Sequence, residues 1–421
     1  MSQATRILLS LIIGLAIGVG AAALAPDRAQ AAIPWVQPIG TAWLNGLRMT
    51  IVPLVVALLV TGIGQTAAAA RASTLATRSI LLFIALLWTS SALGALFASL
   101  ALDWFPLAGD AAAALRSAFS GAQAVGDVPG FGDFLNGMIP TNVLASAVED
   151  QFLPLIVFTT AFAFAVTRLR PEQRDTLLNF FQAVADAMLV VINWVLWLAP
   201  IGVVALAYVV GARAGTAAVG ALFHYILIVA GVGAVISLLA YPLALIGGRV
   251  PLARFTRATA PSQAVAISTQ SSLASLPAML RGVERVGLPV STSGVVLPMA
   301  VAIFRFTGPC MNIAVAVYVA HVFGISLGPS QYAAGIAAAA ITTMGAVSLP
   351  GQISFVSSIA PIAIAMGVPI EPLALLVAVE TMPDLVRTIG NVTMDVAVTT
   401  VIARRVGGEM TEADALLDHG G

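Results

Sequence analysis

The chain has 421 residues, 59% hydrophobic and 9% charged, with a mean hydropathy of +1.00 and 19 basic against 19 acidic residues. A soluble fold has no use for so much apolar surface, so the composition points to a polytopic membrane protein and gives no basis for binding nucleic acid. One cysteine, Cys310, excludes an internal disulfide and a cysteine metal cluster, and His224, His321 and His419 are too dispersed for ligand spacing.

In chain order, Arg6 precedes an apolar run over residues 7–25 and an Ala-Gln-Ala at 29–31. Together they look like a signal peptide and its cleavage site. The run is long for such a segment and further spans follow, so an uncleaved first transmembrane helix is expected. Further spans are expected near 40–65 and 77–102, followed by a loop carrying Asp103, Asp110, Asp127 and Asp133. An apolar stretch over 138–167 is interrupted by Pro140 and Pro154, and two more spans fall near 186–210 and 218–247. Arg6, Arg71 and Arg78, Arg168, Arg170 and Arg174, Arg249, Arg254 and Arg257, and Arg404 and Arg405 then fall on one side of the bilayer, and the acidic loop on the other. By the positive-inside rule this predicts a multi-pass protein of the cell inner (plasma) membrane with both termini cytoplasmic.

The last third has a different pattern. Residues 252–285 are broken at their centre by a Ser-Thr-Gln-Ser-Ser run and Pro277, and residues 330–365 by Thr-Thr-Met-Gly and Ser-Leu-Pro-Gly. Each half is short against the ~20 residues that a helical span needs, so each segment reads as a re-entrant hairpin with its tip at mid-membrane. Two interrupted segments, each followed by a full span, suggest an inverted repeat and a transport site.

The final apolar helix carries Glu380, Asp384, Arg387, Asn391 and Asp395. At 100° per residue these positions share an arc of about 80°. Each ionised side chain at bilayer depth costs about 2.5–3.5 kcal/mol, so such a stripe faces protein, water or a ligand. Arg387 presents a planar fork for a carboxylate and Asp384 an acceptor for an ammonium, which together suit a zwitterion with an acidic side chain. An ion-pair network that only joins helices is the alternative.

Three motifs, TQSSLASLP (269–277), MGAVSLPG (344–351) and DLVRTIGNVTMD (384–395), with LRMTIVPLV (47–55) near the start, resemble the glutamate transporter family of dicarboxylate/amino acid:cation symporters. The resemblance covers nearly the whole chain and is most specific in the last helix. It implies an all-α polytopic membrane protein with eight transmembrane helices, two re-entrant helical hairpins, a homotrimer in the lipid bilayer and an elevator mechanism. The scaffold would comprise residues 1–75 (spans 1 and 2) and 111–215 (spans 4 and 5). The transport domain would comprise 76–110 (span 3) and 216–410 (span 6, hairpin 1, span 7, hairpin 2, span 8), and 411–421 would form a cytoplasmic tail. Carried over to matching positions, Asp384 binds the substrate amino group and Arg387 its side-chain carboxylate. Thr388 and Asn391 hold polar groups, Ser271 and Ser272 the α-carboxylate, and the second tip, with Val347 and Gly351, closes over the substrate.

The chain departs from the family in span 7. Where the family has Asn-Met-Asp-Gly-Thr at an unwound point that coordinates sodium, this chain has Phe304, Arg305, Phe306, Thr307 and Gly308. The amide and carboxylate oxygens are lost. Arg305 is therefore expected to act as a tethered cation that neutralises Asp395, making transport sodium-independent with no cofactor. A proton carrier would have to be Glu380 or Asp384, since Asn312 stands where some relatives have a proton-binding glutamate. Gly308 replaces a substrate-facing threonine and Leu273 a third serine, so the pocket is altered. The resulting expectation is a secondary transporter of aspartate or glutamate. The alternatives are a proton- or cation-coupled C4-dicarboxylate symporter, or a substrate-binding homologue without active transport. A dedicated channel lacks a filter motif. An enzyme lacks a histidine base and a nucleophile motif around Ser271 and Ser272.

Overall fold

The computed structural model describes residues 3–72, 74–109, 112–113, 116, 139–149, 151–345 and 351–406. Helices dominate, and no strand occurs among the described residues. The first four are α1 (Gln3–Leu24), α2 (Pro26–Arg48), α3 (Ile51–Ala72) and α4 (Thr74–Trp104). The short α5 (Val143–Val148) leads into α6 (Phe152–Val166), α7 (Pro171–Trp197), α8 (Ala199–Ala214) and α9 (Ala217–Leu238), which runs on through a π-helical turn at Leu243–Gly247.

Among the described residues, seven helical segments, including Pro26–Ala68 counted as one, are long and apolar enough to cross a membrane. Tryptophans at helix ends stay exposed, with Trp104 at 75% and Trp197 at 72%, where an aromatic belt at the headgroups is expected. Two of the sequence-expected spans are divided differently. The stretch 40–65 breaks between Arg48 and Ile51, because the Pro53 ring clashes with the carbonyl four residues before it. The stretch 186–210 breaks at Leu198, just before Pro200, so one span becomes the 27-residue α7 and the 16-residue α8.

Small residues set the packing of the first helices. Gly14 and Gly18 of α1 face Ala207 and Gly211 of α8, and a Cβ on Gly211 would lie 2.9 Å from the Leu15 carbonyl oxygen. Lipid tails supply no hydrophobic drive between helices, so backbones this close gain their stability from dispersion contact. Trp43 of α2 donates its indole N–H to the Val195 carbonyl of α7 at 2.9 Å, which satisfies a buried donor.

The C-terminal helices build the centre. Helices α10 (Leu252–Thr269) and α11 (Ser272–Arg285) pack along each other and turn at Gln270, whose φ of +51° is left-handed. Next come α12 (Val290–Ile303), α13 (Thr307–Phe323), α14 (Pro329–Gly345), α15 (Gly351–Ala365), α16 (Leu373–Leu376) and α17 (Thr381–Val406). Helices α14 and α15 also pair. Enclosure differs sharply among the long segments: 83% of the most apolar window is buried in Thr292–Phe323 and in Thr381–Arg405, against 22% in Pro171–Trp197. The interrupted span and the charged final helix therefore lie at the protein's centre, and α7 at its edge.

Candidate functional site

Glu380 sits in the turn before α17, and its carbonyl accepts the Asp384 N–H at 2.9 Å. That turn places Glu380, Asp384 and Arg387 on one face, as the helical spacing requires. All three are buried, at 0%, 6% and 5% exposure. Arg387 Nη1 donates to Glu380 and, at 3.0 Å, to Asp384. Its Nε and Nη2 are buried without a hydrogen-bond partner. These two nitrogens form the side of the guanidinium fork that matches a carboxylate. Tyr225 of α9 is fully buried, and its hydroxyl faces the Glu380 carboxylate.

The helix break expected in span 7 is present. Helix α12 ends at Ile303, Phe304 adopts φ −109° and ψ 82°, and α13 starts at Thr307. Phe304 stacks on Phe83 with ring centroids 4.6 Å apart and also meets Phe306. The Phe306 carbonyl, at the N-cap of α13, accepts the Ser90 hydroxyl at 2.5 Å and so ties α4 to the break. Thr307 locks the break to α17. Its N–H and hydroxyl both donate to Asn391 Oδ1, at 2.9 and 2.7 Å, and the hydroxyl is shared with the Arg387 carbonyl at 2.8 Å.

A small cavity of about 10 Å³, room for about one water, lies between the break and α17. Arg305, Gly308 and Asn312 line it from one side and Arg387 from α17. Helix α14 adds Thr343, and α15 adds Phe355 and Ser358. Arg305 is partly buried and lies within electrostatic reach of Arg387 and Asp384.

The other residues expected at the site lie as follows. Arg305 makes no hydrogen bond to Asp395, whose two oxygens are buried without a hydrogen-bond partner, and borders the Arg387 cavity. The reason is helical rise, since eight residues separate Asp395 from Arg387 by about 12 Å along α17. The Asn391 side-chain oxygen holds Thr307, and the Thr388 hydroxyl bonds back to the Asp384 carbonyl at 2.8 Å, so both groups are already engaged within the protein. Ser271 caps α11, its hydroxyl accepting the Ala274 N–H at 3.2 Å. Neither it nor Ser272 belongs to the cavity wall among the described residues. The pair α10 and α11 is nevertheless tied to α17, since Gln263 donates to Thr393 at 2.8 Å. Gly351 starts α15, and Val347 lies outside the described residues.

Sequence reasoning missed Tyr225, Ser90, Thr343 and Ser358. For Ser90 a signal existed, because the pair Ser90 and Ser91 sits in the middle of an apolar span and both are fully buried. His224 and Tyr318 serve packing. His224 Nε2 lies 2.7 Å from the Phe105 carbonyl oxygen, and the Tyr318 hydroxyl donates to the Ala221 carbonyl. No group of three or more His, Cys, Asp or Glu suited to a metal occurs among the described residues.

Broken helices packed around a buried cluster of charge, inside a shell of lipid-length apolar helices, are the arrangement of a secondary membrane transporter. Residues 4–405 match the model of the sodium:dicarboxylate symporter family. The chain belongs to that family and is a transporter, not an enzyme. It is 26% identical over 414 residues to the proton/glutamate-aspartate symporter of Escherichia coli (strain K12), covering 96% of this chain and 92% of that one. It is 28% identical over 385 residues to a C4-dicarboxylate transport protein of Anaeromyxobacter sp. (strain K), covering 90% and 86%. To the neutral amino acid transporter B(0) of Oryctolagus cuniculus it is 30% identical over 432 residues, covering 92% and 77%.

Proposed function

We propose that the chain carries acidic amino acids, aspartate or glutamate, across the cell inner membrane, without a requirement for sodium. The observation that carries this reading is the state of Arg387: one nitrogen is held by Glu380 and Asp384, and Nε and Nη2 are buried with no acceptor. An unpaired buried donor costs about 1–3 kcal/mol, and a substrate carboxylate removes two such costs at once. Asp384 is the acceptor for the substrate ammonium. Asn391 would act through its amide N–H groups, its oxygen being held by Thr307, and Thr388, Ser271 and Ser272, outside the cavity wall, together with Val347 and Gly351 of the second hairpin tip, would reach the substrate only as the hairpin tips close over it. The family membership and the names of the proton/glutamate-aspartate relatives support the substrate class.

Sodium independence is supported by the donor set at the break. Phe304 and Phe306 offer no side-chain oxygen, Arg305 brings a positive charge, and the Phe306 carbonyl is taken by Ser90. Asp395 is where a cation would bind if this reading failed, and Glu380 is the carboxyl placed to carry a proton with the substrate. The domain division given above, the eight spans with re-entrant hairpins, the homotrimer, the elevator movement and the cytoplasmic termini belong to the same proposal. The pairing of α10 with α11 and of α14 with α15 supports the hairpins.

Uptake of labelled aspartate into proteoliposomes, with sodium and pH gradients imposed separately, tests the proposal. Accumulation that persists when choline replaces sodium is the expected result. Uptake that requires sodium overturns the ion assignment, and no saturable uptake of either acidic amino acid overturns the substrate. The C4-dicarboxylate reading has one specific support beyond the relative's name: Asp384 already accepts from Arg387, so a substrate without an ammonium leaves no unpaired charge there.

A further inference from the structure

We infer that the end of the molecule where α10, α11 and α17 meet is a binding surface for the headgroups of acidic phospholipids. Three contacts bring these helices to one level. Gln263 of α10 donates to Thr393 of α17, and Arg404, further along α17, donates through Nε to the Gly248 carbonyl just before α10 at 3.3 Å. The two helices therefore run antiparallel, and the start of α10 lies beside the end of α17. Gly282, near the end of α11, packs on α10 so closely that a Cβ there would lie 2.5 Å from the Ala258 carbonyl oxygen. The chain enters α10 through Arg249, whose φ of +54° is left-handed and turns the backbone sharply.

Positive charge accumulates at this end without internal compensation. Arg249, Arg254 and Arg257 come from the entry to α10 and its first turns. The last turns of α11 add Arg281 and Arg285, and the last turn of α17 adds Arg404 and Arg405. All seven are exposed, and none forms an ion pair among the described residues. Over residues 248–257, 281–286 and 400–406 the only acidic residue is Glu284. On α7, by contrast, Arg174 pairs with Asp175 at 2.9 Å. The positive-inside rule accounts for the side of the membrane on which arginines lie, and not for three helices bringing seven of them to one uncompensated place. What adjoins the charge makes the partner a lipid. The membrane-length segment Ala217–Gly247 ends just before Arg249, and Leu245, Ile246 and Leu252 are exposed, Ile246 at 76%. Apolar side chains suited to acyl chains therefore stand next to guanidinium groups at headgroup depth. A guanidinium fork matches phosphate oxygens, and clusters of about four to eight basic residues beside a span attract anionic lipid.

The test measures binding of phosphatidylglycerol and of phosphatidylcholine, each dispersed in detergent, to the full-length purified protein by native mass spectrometry. Wild type is compared with a quadruple variant carrying Arg254→Gln, Arg257→Gln, Arg281→Gln and Arg285→Gln, and with one carrying Lys at the same four positions. Wild type is expected to prefer phosphatidylglycerol by at least about 10-fold. Each basic residue at an anionic lipid surface is worth about fivefold in affinity, so the Gln variant is expected to lose that preference and the Lys variant to keep most of it. Equal binding of the two lipids by wild type, or an unchanged preference in the Gln variant, overturns the inference. If inorganic phosphate alone displaces phosphatidylglycerol at a comparable concentration, the surface takes a free anion and the lipid assignment falls. If phosphatidylglycerol binds only after Glu409, Glu412, Asp414 and Asp418 are changed to their amides, the patch belongs to the acidic C-terminal stretch and the inference falls as well. Should the quadruple Gln variant fail to fold by size-exclusion chromatography, the pair Arg254→Gln and Arg281→Gln decides, and an unchanged lipid preference in that pair overturns the inference.

Discussion

Replacing Arg387 by Gln separates its two duties, because its partners differ in kind. On one side it neutralises Glu380 and Asp384, which are 0% and 6% exposed. Removing one member of a buried ionic group leaves uncompensated charge and costs about 3–5 kcal/mol. On the other side Nε and Nη2 are unspent, and two charged hydrogen bonds to a carboxylate are worth about 1.5–3 kcal/mol each. Their loss weakens an acidic substrate by at least about 100-fold. A second change, Glu380→Gln, removes one of the stranded charges. The double variant is therefore expected to regain much of the lost stability and none of the binding. Thermal melting in detergent, followed by tryptophan fluorescence, reads the first quantity, and calorimetric titration with aspartate reads the second. Wild-type melting in Arg387→Gln would refute the ion-pair account. Aspartate affinity within about threefold of wild type would remove Arg387 from the site. A double variant less stable than the single one would show that Glu380 does not depend on Arg387.

Three further outcomes follow from the packing. A Cβ on Gly94 would lie 2.5 Å from Cys310 Cα and 2.6 Å from its carbonyl oxygen, so Gly94→Ala must push α4 off α13. It should cost about 1–3 kcal/mol in a denaturation assay, whereas a melting point equal to wild type would deny that contact. Gly308→Ala meets only Thr343 and Arg305 side-chain atoms, at 3.5 Å and beyond, so the fold should hold. The added methyl narrows the cavity, and a several-fold change in aspartate affinity at unchanged melting is the expected reading. Ser90→Ala removes the hydroxyl that ties α4 to the Phe306 carbonyl and should lower stability by about 0.5–1.5 kcal/mol, measured by the same melting experiment.

Much of this protein was legible in its residues because a bilayer imposes length and polarity on every segment. The interrupted regions expected at 252–285 and 330–365 coincide closely with the helix pairs α10–α11 and α14–α15. The break at Phe304–Phe306 fell where the motif alignment put it. Glu380, Asp384 and Arg387 met on one face because a helix repeats every 3.6 residues and nothing else is needed to align them. Proline placement was harder to weigh. Pro34 and Pro38 lie inside α2, while Pro53 and Pro200 sit just after helix breaks, and only the surrounding contacts distinguish these cases.

What the sequence by itself determined is the set of helices and the charged stripe, since hydropathy, chain length and helical period act locally. Partner choice among the charges was decided only in three dimensions. Arg305 and Asp395 have opposite charge and look like a pair on paper, but α17 carries Asp395 about two turns past Arg387, and the break holds Arg305 at the cavity instead. Asn391 reads as a ligand on its stripe, yet Thr307 from another helix claims its oxygen. Hydrogen bonds form only within about 3.5 Å and Coulomb attraction weakens with separation, so which group meets which depends on how the helices cross, and no local pattern encodes that.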